Sequence, residues 1–150
     1  MRTGVTAALA VLLSGAALDG SGMAQAQGVD PAGTWSRPSG TSRLRIARCG
    51  QAYCGTIAWL REPNGPDGKP MTDAQNPDPS RRSRPLLGTT VIIGMAPTGK
   101  DGQWKGQVYK ADEGKTYTGY MTMEGARQLK LEGCVLGGMV CKAETLTRAD

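Results

Sequence analysis

The sequence predicts an all-β fold, a small up-and-down antiparallel barrel of about eight strands interrupted by one long polar loop. Three observations point there. No useful length of the chain after the first 26 residues repeats apolar positions at the 3.6-residue spacing of a helix. Short runs alternate apolar and polar residues between turns marked by glycine, of which the chain has 22. Four cysteines occur as Cys49, Cys54, Cys134 and Cys141, each local pair bracketing a short turn.

The N-terminus comes first. Arg2 gives a positive start, Val5 to Ala17 forms an apolar run, and Ala24-Gln25-Ala26 is a small-x-small site. That order is the pattern of a secretory signal. The run is too short for a permanent membrane span. Cleavage after Ala26 is expected, leaving residues 27–150 as one barrel domain, periplasmic or secreted, whose mature form does not span the membrane. No cysteine stands at the cleavage site, so no lipid anchor is expected.

Eight candidate strands follow: 33–37, 42–49, 53–60, 89–95, 103–110, 115–123, 128–134 and 139–148. Leu44 and Ile46 oppose Arg43 and Arg45, and Ile57 and Trp59 alternate with Thr56 and Ala58. Trp104, Gly106 and Val108 share one face, and Leu129 and Leu131 alternate with Lys130 and Glu132. Each strand therefore has one buried and one wet face. Closing the sheet into a barrel removes its edges; a β-sandwich is the alternative.

Composition excludes several chemistries. The chain has no histidine, which removes Ser-His-Asp and Cys-His mechanisms and the usual zinc sites. Neither cysteine pair is separated by two residues, so zinc and thioredoxin-like motifs fit poorly. An even count in an exported domain reads as two disulfides. Of the three pairings, Cys49–Cys54 and Cys134–Cys141 are expected, as hairpin clips worth roughly 2 kcal/mol each. The net charge of +5 suits an anionic small molecule or envelope surface, or simply a solvated exterior. Export argues against nucleic acid.

Residues 61–88 break the rhythm. This loop is rich in Pro, Asp, Asn and Arg and ends in Pro85-Leu86-Leu87-Gly88, which could plug a barrel mouth. So long a loop in a compact domain is usually functional or disordered. Asp67, Asp73, Asn76 and Asp78 offer oxygens to a hard cation, but they lack an EF-hand's spacing and are better read as turn formers beside proline. Arg82 and Arg84, with Arg81, suit capture of a carboxylate or phosphate, or pairing with Asp73 or Asp78. Trp104, Tyr109 and Tyr117 lie on adjacent strands, where they line a pocket or pack the core. No catalytic residue, metal site or cofactor is assigned.

Several stretches resemble a bacterial family catalogued as domain of unknown function 2147. They include Gly33-Thr34-Trp35, Leu44 to Gly50, Cys54 to Leu60, Asp67-Gly68-Lys69-Pro70, Arg84 to Gly88, Trp104-Lys105-Gly106, Gly114 to Tyr117, Gly133-Cys134 and Thr147-Arg148. Leu146 departs from the aromatic residue the family typically carries there. The resemblance implies a signal peptide, a calycin-like barrel and no established activity. It is also similar to lipocalins, which place Gly-x-Trp on the first strand and an arginine on the last. Gly33, Trp35 and Arg148 would then form a structural cation–π closure.

The expected function is binding of a small apolar or amphipathic ligand in the cell envelope, with the long loop as lid. An envelope interaction protein that uses residues 61–88 as contact surface is the alternative. An enzyme using the loop Asp and Arg residues is the weakest reading.

Overall fold

The computed structural model describes Gly4 and residues 30–150, so the signal peptide expected at residues 1–26 lies, apart from Gly4, outside the described residues. Eight strands form one closed antiparallel barrel in sequence order: β1 (Gly33–Ser36), β2 (Ser42–Cys49), β3 (Ala52–Leu60), β4 (Thr90–Pro97), β5 (Gln103–Lys110), β6 (Lys115–Met123), β7 (Gln128–Val135) and β8 (Val140–Arg148). The sandwich alternative is thereby ruled out. Single 3-10 turns occur at Pro79–Arg81 and Leu136–Gly138.

Alternation sets the inward face. In β2, Leu44 and Ile46 are buried while Arg43, Arg45 and Ala47 are exposed. One face differs from the sequence reading. Arg43 pairs with Trp59 but Leu44 pairs with Ile57, so Ala58 is an extra residue, a β-bulge. The bulge reverses the pleat, and Trp59 lies 40% exposed, with the Arg43 guanidinium 4.8 Å from its ring centre. A second irregularity between Ile93 and Ala96 brings both Ile92 and Met95 into the core.

Both local disulfides are present, Cys49–Cys54 and Cys134–Cys141, and clip the β2–β3 and β7–β8 hairpins. Among the described residues no cysteine is free.

One end of the barrel is filled. Trp35, Ile46, Met95, Met121, Leu129 and Leu146 are fully buried. The Arg148 guanidinium sits 4.3 Å from the Trp35 ring centre and donates to the carbonyls of Ala32, Ala126 and Asp30. Trp35 donates its indole N–H to the Pro31 carbonyl at 2.9 Å. A Cβ on Gly33, whose φ is +139°, would lie 2.5 Å from Arg148 Nη1. The glycine of Gly-x-Trp therefore serves twice: its backbone takes a φ that strains other residues, and it leaves room for the arginine that stacks on the tryptophan. Leu146 is fully buried where the family resemblance led to an aromatic side chain.

Candidate ligand-binding site

The opposite end of the barrel carries the turns after β1, β5 and β7 and the long connection 61–89. It is hollow. A larger lobe of about 520 Å³ is walled by Leu44, Ile57, Ile92, Val108 and Leu131, with Leu86 from the loop. A smaller lobe of about 390 Å³ is walled by Tyr117, Gly133, Val135, Val140, Lys142 and Glu144. Arg37, Val108, Lys110, Leu131 and Glu144 line both lobes, which therefore form one cup. Volumes of about 300–1,000 Å³ are usual for small-molecule sites.

The cup exists because inward positions change character along each strand. In β5, Trp104 fills the closed end, Val108 lines the cup and Lys110 reaches its rim. In β8, Leu146 is core, while Glu144, Lys142 and Val140 at the same parity line the smaller lobe. The seam between β1 and β8 contributes too. Only Trp35↔Arg148 and Ser36↔Thr147 pair there, so β8 has no strand beside it on that side from Val140 to Leu146. Arg37 and Glu144 bridge the gap, with Arg37 Nε 3.0 Å from Glu144 Oε1 and Nη2 3.1 Å from Oε2.

At the opposite wall, Lys110 Nζ donates to Glu113 Oε1 at 2.6 Å, and the Tyr117 hydroxyl donates to the other Glu113 oxygen. Those hydrogen bonds, from Lys110 and then Tyr117, hold the Glu113 carboxyl below its usual value. The Glu113 bond also raises the Tyr117 hydroxyl.

The polar residues singled out in the loop serve the loop itself. Asp73 is fully buried. Its carboxylate accepts from the Tyr109 hydroxyl at 2.6 Å, from Asn76 Nδ2 at 2.8 Å and from Arg84 Nε at 2.9 Å. Arg84 Nη2 approaches within 2.8 Å. Burial pushes the Asp73 carboxyl upward, but the hydrogen bonds from Tyr109, Asn76 and Arg84, aided by the Arg84 charge, outweigh it and leave the carboxyl below its usual value. Burial, followed by the Asp73 bond, raises Tyr109. Arg82 donates to the Asn76 carbonyl at 2.8 Å. Asp78 caps the 3-10 turn by accepting from Ser80 N at 2.9 Å, and its carboxyl is held low chiefly by the Ser80 hydroxyl.

The loop is thus a strap pinned to the barrel wall through Tyr109. A second pin is Gly114 (φ +65°), where a Cβ would lie 1.8 Å from the Gln75 carbonyl oxygen. Of the expected plug, Leu86 lines the larger lobe and Leu87 is exposed.

The structure therefore divides the sequence candidates. Tyr117 lines the cup, and Tyr109 touches the larger lobe while anchoring the strap. Trp104 belongs to the closed-end core, edge-on to Tyr53 at 5.8 Å, and lines neither lobe. Asp73, Asn76, Arg82, Arg84 and Asp78 are joined to one another and to Tyr109, outside both lobes. Sequence reasoning missed Arg37, Lys110, Lys142 and Glu144. The signal was parity: each lies two residues from an inward position, Trp35, Val108, Glu144 and Leu146 respectively. Among the described residues no group of three or more His, Cys, Asp or Glu is placed to hold a metal ion.

A closed eight-stranded up-and-down barrel, locked by an arginine–tryptophan stack at one end and open at the other, defines a lipocalin-like protein. The chain belongs to the bacterial family described as "Uncharacterized protein conserved in bacteria (DUF2147)", whose model matches residues 33–148. Its fold is similar to that of protein HP1028 from the human pathogen Helicobacter pylori, described as belonging to the lipocalin family. The TM-score is 0.70 at 19% identity, over 81% of this chain and 84% of that one. No curated protein matches the chain.

Proposed function

We propose that this protein binds a small amphipathic molecule in the cup at the open end of its barrel, and does so in the cell envelope. The observation that carries the reading is the cup itself: an apolar floor of Leu44, Ile57, Ile92 and Leu131 beneath a rim bearing Arg37, Lys110, Lys142 and Glu144. An apolar wall with a few convergent polar groups is how small-ligand sites gain affinity and orientation together. The filled, arginine-locked end supplies the rigid frame. The two disulfides favour an oxidising compartment, in keeping with export.

The strap's geometry supports a wall or lid more than a catalytic site. Asp73 accepts from three donors at once, so its carboxylate is already committed to holding the loop. The same bonds occupy polar groups that a contact surface on residues 61–88 would otherwise present.

Native mass spectrometry of the protein made with its own signal peptide and recovered from the periplasm tests the reading. The expected result is an adduct of a few hundred daltons that is lost on denaturation, on a chain cleaved after Ala26. A bare mass, together with no binding of any amphiphile added in vitro, would overturn it.

A further inference from the structure

The smaller lobe is unbalanced in charge. Its wall brings together Arg37, Lys110 and Lys142 against Glu113 and Glu144. Glu144 is taken by Arg37 and Glu113 by Lys110. Lys142 enters none of the chain's ion pairs among the described residues. It stands on β8 where that strand has no partner toward β1, at the gap that Arg37 and Glu144 bridge. The larger lobe is different. Its three cations, Arg37, Arg61 and Lys110, equal its three acids, Glu62, Asp112 and Glu144, in number. Arg61 is turned to the Ser39 carbonyl, and most of the remaining wall is aliphatic.

Resting on the reading above, we propose that the ligand is a single-chain amphiphile with an anionic head, a carboxylate or a phosphate monoester. The head takes Lys142, with Arg37 and Lys110 beside it, in the smaller lobe at the seam. The tail passes between Val108 and Leu131, which line both lobes, and lies against Leu44, Ile57 and Ile92. One bound anion supplies the negative charge the lobe lacks, and it does so without breaking either existing ion pair. A cationic head would meet a lobe whose lining already carries one more positive than negative group, and a neutral head would gain no ion pair from Lys142.

Titration calorimetry on the oxidised mature chain at neutral pH, with dodecanoate, dodecyl phosphate, dodecanol and dodecyltrimethylammonium as probes, tests the assignment. Either anion should bind at least about fivefold more tightly than dodecanol, and that advantage should shrink with added salt. Lys142→Gln should bring the anions down to the alcohol's affinity. Lys142→Glu should weaken them further, while Lys100→Gln, at the far end of the barrel, should change nothing. Lys142 is exposed, so these variants keep the fold. The ratio of dodecanoate to dodecyl phosphate tells a carboxylate site from a phosphate site. Dodecanol binding as tightly as the anions, or anion binding indifferent to Lys142→Glu, would overturn the anionic assignment and leave the cup reading standing. Binding of none of the four would overturn both.

Discussion

The two ends of this barrel are built from the same strands and do opposite things. At the closed end, inward positions carry Trp35, Ile46, Met95, Met121 and Leu129, all fully buried. At the open end, the same inward rows run on into Val108, Glu144, Lys142 and Lys110, and the space stays hollow. An eight-stranded barrel is just wide enough to fill with side chains or to hold one small ligand. Here the choice is made separately at each end. Stability is concentrated where packing density is high, and binding where it is low.

Breaking the closed end should therefore cost the fold. Trp35→Ala removes the largest fully buried side chain and the arginine's platform, and should destabilise the protein by about 3–5 kcal/mol in urea unfolding. Arg148→Ala should cost about 2–3 kcal/mol, because it leaves the carbonyls of Ala32, Ala126 and Asp30 without their donor. A loss of under 1 kcal/mol in either variant would show that the frame lies elsewhere.

The strap sits between the two regimes. Tyr109→Phe removes one donor from the buried Asp73 carboxylate and should cost about 1–2 kcal/mol, with faster hydrogen exchange across residues 70–88. The pH dependence has a defined sign. The Asp73 carboxyl is lowered in the folded protein, so its contribution is full at neutral pH. It is lost as pH falls below the unfolded value of about 3.9 and through the lower folded one. Asp73→Asn should flatten that acid limb of the stability profile, and an unchanged limb would assign acid sensitivity to other carboxyls.

The open end should give the smallest stability change and the largest change in binding. Val108→Trp fills the passage between the lobes. It should shift unfolding by no more than about 1 kcal/mol, because the space already exists, yet abolish amphiphile binding in calorimetry.

Much of the frame was legible in the sequence. Alternation in Leu44 and Ile46, glycine-marked turns and the spacing of the four cysteines led to the strand order and the hairpin clips, because a period of two permits only one set of inward residues. Trp59 was misplaced because a bulge at Ala58 breaks that period, and a single inserted residue carries no compositional mark. The cup was harder to see. Lys110, Lys142 and Glu144 look like solvated surface in a linear reading, since a charged residue at an inward position is rare except where the interior is open. The loop's Asp73, Asn76 and Arg84 drew attention as a dense polar group. Their bonds to one another are short-range, and the pairing of Arg84 with Asp73 was among the sequence alternatives. The bond from Asp73 to Tyr109, 36 residues away on β5, is the one no local pattern reveals.

The contrast between the two ends is most directly tested by a methyl-resolved NMR titration of residues 27–150 with dodecanoate. Saturable shifts at Leu44, Ile57, Ile92, Val108 and Leu131, with Ile46, Leu129 and Leu146 unmoved, are the predicted result. Shifts spread evenly through both ends, or confined to the outside of the barrel, would contradict the account.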